Sequence, residues 1–119
     1  MVIILELSPL SKDASFVLYQ IYKEYLIAIQ GGISKSDARK LGSGEEIYQR
    51  LFSEKYHEDY LDEMRELGKK KYLKNKWASN KIFSSQLTFE AIEFCESRFK
   101  RELKSGIETL NTFKNFFMN

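Results

Sequence analysis

The stretch that decides the fold is KKKYLKNKWASNKIFSSQL, at residues 69–87. Two runs with strand-forming residues, 69–76 and 81–87, flank Trp77-Ala-Ser-Asn80, which supplies turn residues. Two such runs joined by a short turn are typical of a β-hairpin. Segment 65–81 holds seven Lys or Arg residues and a single acid, which gives it a net charge of +6. The sequence therefore predicts a hairpin that carries most of the chain's positive charge.

Apolar residues recur every three or four positions ahead of the hairpin. The first stripe predicts a helix over residues 9–30, with Ser8 as its N-cap and Pro9 in its first turn. Gly31-Gly32 ends this helix. A capping signature, Ser34-Lys-Ser-Asp37, then opens a short second helix. The stripe of the first helix consists of Leu18, Ile21, Tyr22, Tyr25, Leu26 and Ile29.

Segment 43–56 adds material between the second helix, which Leu41-Gly42 ends, and a third helix. It opens with another capping signature, Ser43-Gly-Glu-Glu46, which predicts an extra turn or helix. Residues 53–57 are predicted to be a connection. The third helix then covers residues 58–67 and stops at Gly68.

After the hairpin, Thr88 is a plausible N-cap for a long last helix. The apolar period persists from Ile92 to Phe117, and an unbroken helix over 89–118 is about 45 Å long at 1.5 Å per residue. A compact chain of this size is only about 35 Å across. The helix therefore either projects and pairs with a second copy, or breaks near Ser105-Gly106 and folds back on the first helix. The predicted homodimer interface consists of Phe99, Leu103, Ile107, Leu110, Phe113 and Phe117.

Composition narrows the class of protein. The chain has 119 residues, one cysteine and one histidine, which favours a single cytoplasmic domain without a disulfide, metal or other cofactor, and argues against an enzyme. No apolar run reaches the roughly 18 residues of a membrane span, and we expect no signal peptide. The predicted organisation is an N-terminal arm over residues 1–8, helices and hairpin over 9–87, and a C-terminal segment over 88–119. The arm is an apolar run that forms a short edge strand or packs on a partner.

The order of helix, short helix, helix, basic hairpin and helix resembles a winged helix-turn-helix domain. The similarity covers roughly residues 12–100 and is strongest with small winged-helix proteins of Gram-positive bacteria and their prophages. YLDEMRELGKKKYL, at residues 60–73, looks like the third helix running into the first wing strand. SQLTFEAIE, at 85–93, is similar to the family's sequence motif at the junction where the second wing strand enters the last helix. In this chain Ala91 replaces the glycine that is usual in that motif. The expected fold is mostly α with a small β-hairpin, an α+β winged helix-turn-helix with a long C-terminal helix.

The resemblance implies a DNA-binding transcriptional regulator, with the third helix in the major groove of double-stranded DNA and the wing near the backbone. Lysines on the hairpin suit phosphate contacts, which give affinity without reading bases. Trp77 either stacks on a ligand or anchors the core. The candidate DNA-binding residues are Lys35, Arg39, Lys40, Arg65, Lys69, Lys70, Lys71, Lys74, Lys76, Trp77 and Lys81.

The third helix has the wrong charge for a major-groove probe. Its polar face opposes Arg65 with five acids, and carboxylates that face phosphate cost Coulomb energy. Either the wing and the second helix carry the binding, or the acidic helix faces a basic protein partner. The alternative function is therefore a protein-interaction module of phage or mobile-element origin. The five acids are Glu58, Asp59, Asp62, Glu63 and Glu66. The first four are expected to form a solvated helix face instead of a metal or acid–base cluster, while His57 is a helix N-terminal residue and Cys95 is a buried structural thiol.

Overall fold

The computed structural model describes residues 10–103, with side chains described for residues 10–98. Over this range a small antiparallel sheet packs among helices, which confirms the predicted mostly helical α+β class. The elements in chain order are α1 (Lys12–Gln30), α2 (Lys35–Ala38), β1 (Lys40–Gly42), α3 (Gly44–Ile47), a π-helical segment (Tyr48–Phe52), α4 (His57–Lys69), β2 (Leu73–Ala78), β3 (Lys81–Leu87) and α5 (Phe89–Leu103).

Helix α1 begins three residues later than the sequence predicted. Its N-cap is Ser11, whose Oγ accepts a hydrogen bond from the Ala14 N–H at 3.1 Å. Both Ser8 and Ser11 have the chemistry of an N-cap, and residues 1–9 lie outside the described part of the chain, the predicted arm included. The buried face of α1 follows the predicted spacing and ends before Gly31; it consists of Ala14, Val17, Leu18, Ile21, Tyr22 and Tyr25.

The described sheet has three strands in the order β1-β3-β2, and β1 was not predicted. The second helix ends at Ala38, and the backbone then pairs with β3 instead of continuing to Leu41-Gly42. The hairpin itself is confirmed, although β2 begins at Leu73 and its turn is only two residues long. Both turn residues, Ser79 and Asn80, have positive φ angles of 50° and 64°, as a tight hairpin turn requires.

Segment 43–56 contains the extra helix that the sequence predicted between the second and third helices, as α3 and the π-helical segment. The capping box at Ser43 is present, with Glu46 N–H donating to Ser43 Oγ and Ser43 N–H donating to the Glu46 carboxylate. From it α3 runs directly into the π-helical segment, and four residues, 53–56, lead to α4. The helix before α4 is thus this one, and α2 is a short turn that leads into β1.

Helix α4 packs between α1 and the hairpin. Its Tyr60, Met64 and Leu67 side chains are fully buried, and the Tyr60 hydroxyl donates to the Gly44 carbonyl oxygen at 2.7 Å. Helix α5 covers the other side of α1 with Ala91 and Cys95. The core therefore fixes α4 and the hairpin next to each other.

The arrangement of helices and a three-stranded antiparallel sheet is compatible with a winged helix. Among the described helices α1 is the longest, at 19 residues, against 15 for α5. The predicted extension of the last helix beyond Leu103 lies outside the described residues. Within residues 10–103, no helix combines the length and the apolar character needed to cross a membrane.

Candidate nucleic-acid interface

The outer face of the sheet carries a row of cationic side chains. Lys40 on β1 and Lys74 on β2 both lie opposite Gln86 of β3, so these three residues stand side by side across the strands. Lys76 is two residues beyond Lys74 and therefore lies on the same face, opposite Ser84. All three lysines are exposed. The fold thus brings Lys40, predicted to lie at the second helix, onto the sheet beside the hairpin lysines.

Most of these cations are not neutralised within the described part of the chain. Lys40 pairs with Asp37 at 3.4 Å, but both side chains are about two-thirds exposed, so the pair contributes little. Lys69, Lys71, Lys74 and Lys76 have no acidic group within ion-pair distance among the described residues. Their charge is available to an anionic ligand.

A cleft of about 960 Å³ lies between α4 and β2, at the inner side of the hairpin. Four cationic residues line it: Arg65 and Lys69 from α4, Lys71 from the connection and Lys74 from β2. Trp77 and Asn75 form part of its β2 wall. The cleft therefore gathers four of the predicted binding residues around the predicted aromatic residue.

Arg65 and Trp77 pack against each other at the entrance of this cleft. The Arg65 guanidinium carbon lies 4.8 Å from the centroid of the Trp77 ring, and its Nη1 lies 3.0 Å from Asp62 Oδ1. Trp77 remains 38% exposed. Trp77 is thus neither fully exposed nor buried in the core. Arg65 already has two partners, Trp77 and Asp62.

Asn75 fixes the hairpin to α4, a role that the sequence analysis missed. Its Nδ2 donates to the Met64 carbonyl oxygen at 3.0 Å, and its Oδ1 accepts from the Ser85 hydroxyl at 2.6 Å. Ser85 is only 4% exposed. A polar residue at an inward position of a strand was the available signal, but the hydrogen-bond partner on α4 cannot be identified from spacing along the chain.

The polar face of α4 is less acidic than its sequence indicates. Glu63 is buried and lies 3.0 Å from the Lys55 amine, so it does not belong to the expected solvated face. Glu66 accepts two hydrogen bonds from Ser11, from its backbone N–H at 2.6 Å and from its Oγ at 2.8 Å. The fully exposed acids are Glu58, Asp59 and Asp62.

The remaining predicted cations differ in how free they are. Lys35 is exposed. Lys81 lies beside the hairpin turn, near Glu45. The pKa of the Glu45 carboxyl is lowered mainly by its hydrogen bond from Gln49, and the positive charge of Lys81 lowers it further. Arg39 is half-buried, with its guanidinium 4.2 Å from the centroid of the Phe89 ring and directed at the Leu87 carbonyl oxygen. Arg39 is therefore engaged by these groups and is less available to a ligand than the exposed lysines.

No catalytic arrangement is apparent in the described residues. His57 is the first residue of α4, as predicted, and its Nε2 lies 3.3 Å from Glu45 Oε1. Cys95 is fully buried, and desolvation raises the pKa of its thiol to about 12. Across residues 10–103, no group of three or more His, Cys, Asp or Glu side chains is placed to hold a metal ion.

The predicted dimer interface falls beyond the part of the chain whose side chains are described. Phe99 and Leu103 lie in α5, but their side chains are outside the description, as are Ile107, Leu110, Phe113 and Phe117 entirely. Comparison of the chain with protein-family models, curated proteins and solved structures finds no match.

Proposed function

We propose that this chain is a winged-helix protein that binds double-stranded DNA and regulates transcription, with the hairpin as its wing. Two features of the fold support this proposal. The hairpin follows α4 directly and pairs with β1 from earlier in the chain. Four residues separate the π-helical segment from α4, which is the turn length of a helix-turn-helix.

The row of lysines on the outer sheet face carries the proposal. Neighbouring strands are about 4.8 Å apart, so Lys40 and Lys74, on either side of Gln86, have their backbones about 10 Å apart. Lys76 extends the row along the wing. Lys74 and Lys76, which have no acidic group within ion-pair distance among the described residues, attract a phosphate backbone through counterion release, whatever the base sequence.

This geometry makes the wing, not α4, the main source of affinity. The exposed acids Glu58, Asp59 and Asp62 oppose phosphate, and Arg65 is held by Asp62 and Trp77. Phosphate contacts position a protein without specifying bases. We therefore expect strong salt dependence and weak sequence preference. Pairing of two copies through the C-terminal segment is part of the same proposal and is tested by light scattering of the full chain.

The test is binding of a labelled 20-base-pair duplex of random sequence, measured by fluorescence anisotropy from low to physiological salt. Each lysine that contacts a phosphate contributes about 0.9 to the slope of log affinity against log salt. Lys74→Ala and Lys76→Ala should each lower this slope by about one and weaken binding on every sequence. Lys12→Ala is the control, because it also removes one exposed lysine, but from α1 instead of the sheet.

The acidic face of α4 supports the alternative, a protein-interaction module. Asp62 and its exposed acidic neighbours suit a basic protein surface better than phosphate. If the wild-type chain does not bind duplex even at low salt, the DNA-binding proposal fails and this alternative remains. Equal effects of Lys12→Ala and Lys74→Ala would also refute the role of the wing.

A further inference from the structure

We propose that the cleft between α4 and β2 binds single-stranded nucleic acid, with one unpaired base stacked on Trp77 and the adjacent phosphates held by Lys69 and Lys71. This goes beyond binding of duplex DNA by the outer sheet face. A stacking surface within a cationic groove is the combination by which proteins bind single strands without sequence preference. The cleft contains both parts.

The charges in the cleft favour an anion once their partners are considered. Three acids line it, but Asp62 is paired with Arg65, and Glu66 accepts two hydrogen bonds from Ser11. Neutral serine donors do not cancel the charge of Glu66, and Glu90 lies in the first turn of α5, so four cations face three carboxylates and the lining has a net formal charge of +1. The three lysines of the cleft have no ion-pair partner among the described residues, so the field within the cleft is positive.

Trp77 has the exposure that stacking requires. It is held in place on one side by the Arg65 guanidinium at 4.8 Å, and it keeps 38% of its surface accessible. Asn75 and Ser85 fix the same hairpin to α4, so the ring belongs to a rigid wall. A preorganised aromatic surface loses little side-chain entropy when a base stacks on it.

The volume of the cleft and the exposed acids of α4 favour a single strand over a double helix. A volume of about 960 Å³ falls within the range of sites that hold one small ligand, and a nucleotide is such a ligand. A duplex seated on α4 would bring its phosphates against Glu58 and Asp62. A single strand can enter along the wing and leave those acids in solvent.

The experiment uses the full chain with a 12-residue oligothymidylate and a hairpin duplex of similar charge. Trp77 is the chain's single tryptophan, so its fluorescence reports from the cleft alone. We expect the single strand to quench this emission. We also expect it to bind more tightly than the duplex and to quench the emission more strongly. Binding measured by anisotropy should fall about 5- to 150-fold in Trp77→Ala, because stacking of one base has that magnitude.

Two further variants separate stacking from a general loss of structure. Trp77→Phe keeps an aromatic ring at the same position and should recover most of the affinity. Phe83→Ala removes an aromatic side chain that is 74% exposed on the same hairpin but does not line the cleft, so it should bind like the wild type. Equal losses in Trp77→Ala and Phe83→Ala, or unchanged binding in Trp77→Ala, would overturn the proposal.

The outcomes for the two nucleic acids distinguish this proposal from the proposed function. Binding of the duplex without binding of the single strand refutes the cleft and leaves the regulator proposal in place. Binding of the single strand without the duplex refutes the regulator proposal and supports the cleft. If neither binds at low salt, both proposals fail.

Discussion

Replacing Asn75 with alanine should detach the hairpin from α4 at a predictable cost. The substitution removes two hydrogen bonds, from Asn75 to the Met64 carbonyl oxygen at 3.0 Å and from Ser85 to Asn75 at 2.6 Å. The Ser85 hydroxyl is nearly inaccessible to water, and an unsatisfied buried group costs about 1–3 kcal/mol. The lost bond to Met64 adds about 1 kcal/mol. We expect Asn75→Ala to lower the free energy of unfolding by about 2–4 kcal/mol.

The hydrogen bond between Asn75 and Ser85 should make their substitutions non-additive. Ser85→Ala alone removes the donor but leaves the half-buried Asn75 oxygen near solvent, so we expect a cost of about 1 kcal/mol. In the double variant no hydroxyl remains unsatisfied, and the total should fall short of the sum by about 1 kcal/mol or more. Ser84→Ala, the adjacent serine opposite Lys76, is the control and should stay within about 0.5 kcal/mol of wild type.

Urea denaturation of the four variants gives these energies, and amide hydrogen exchange locates the loss. Exchange in β2 and β3 should accelerate more than exchange in α1, because the hairpin loses its attachment to α4. Strictly additive energies, or a cost for Asn75→Ala below about 0.5 kcal/mol, would show that Asn75 does not fix the wing.

Three further perturbations test separate parts of the fold. In Gly44→Ala the new Cβ would lie 2.7 Å from the Ile82 Cβ, so we expect a loss of about 1–3 kcal/mol in urea denaturation despite better helix propensity. Ser43→Ala removes the acceptor of the capping box and should cost about 1 kcal/mol by the same assay. Burial raises the pKa of the Cys95 thiol from 9.0 to about 12, so a thiol reagent at pH 8 should modify it only after unfolding. The thiol of the unfolded chain ionises at a lower pH than the buried thiol. The contribution of this group to the free energy of unfolding is therefore complete below pH 9 and should decrease as the pH rises towards 12. Rapid modification of the native thiol, or a free energy of unfolding that does not change over this pH range, would contradict this.

Local signals in the sequence were sufficient for most helix starts. Ser34, Ser43 and Thr88 each accept a hydrogen bond from a backbone N–H three residues later, as predicted. Such caps depend on neighbouring residues only, which is why sequence shows them. The start of α1 was wrong because Ser8 and Ser11 are equivalent by this criterion. In the structure Ser11 is also held by Glu66, 55 residues away.

Contacts between distant residues account for the features that the sequence did not show. β1 is three residues long, and only Leu41 is buried in it, so its alternation is too short to detect in the sequence. Its existence depends on pairing with β3, from Lys40 to Gln86 and from Gly42 to Ser85. Glu63 was placed on a solvated face because it lies among acids, and it is buried because Lys55 from the preceding connection reaches it.

The charge pattern of α4 has a structural explanation that weakens the case for a basic protein partner. The exposed acids Glu58 and Asp59 lie in the first turn of α4, and Lys69 lies in the last. Acids near the N-terminus and cations near the C-terminus of a helix each stabilise it by about 0.3–1 kcal/mol through the helix dipole. The same arrangement places positive charge beside the wing and the cleft and negative charge at the far end of the helix. A polyanion is therefore attracted to the C-terminal half of α4 and the hairpin, and Glu58 and Asp59 need no ligand to explain their presence.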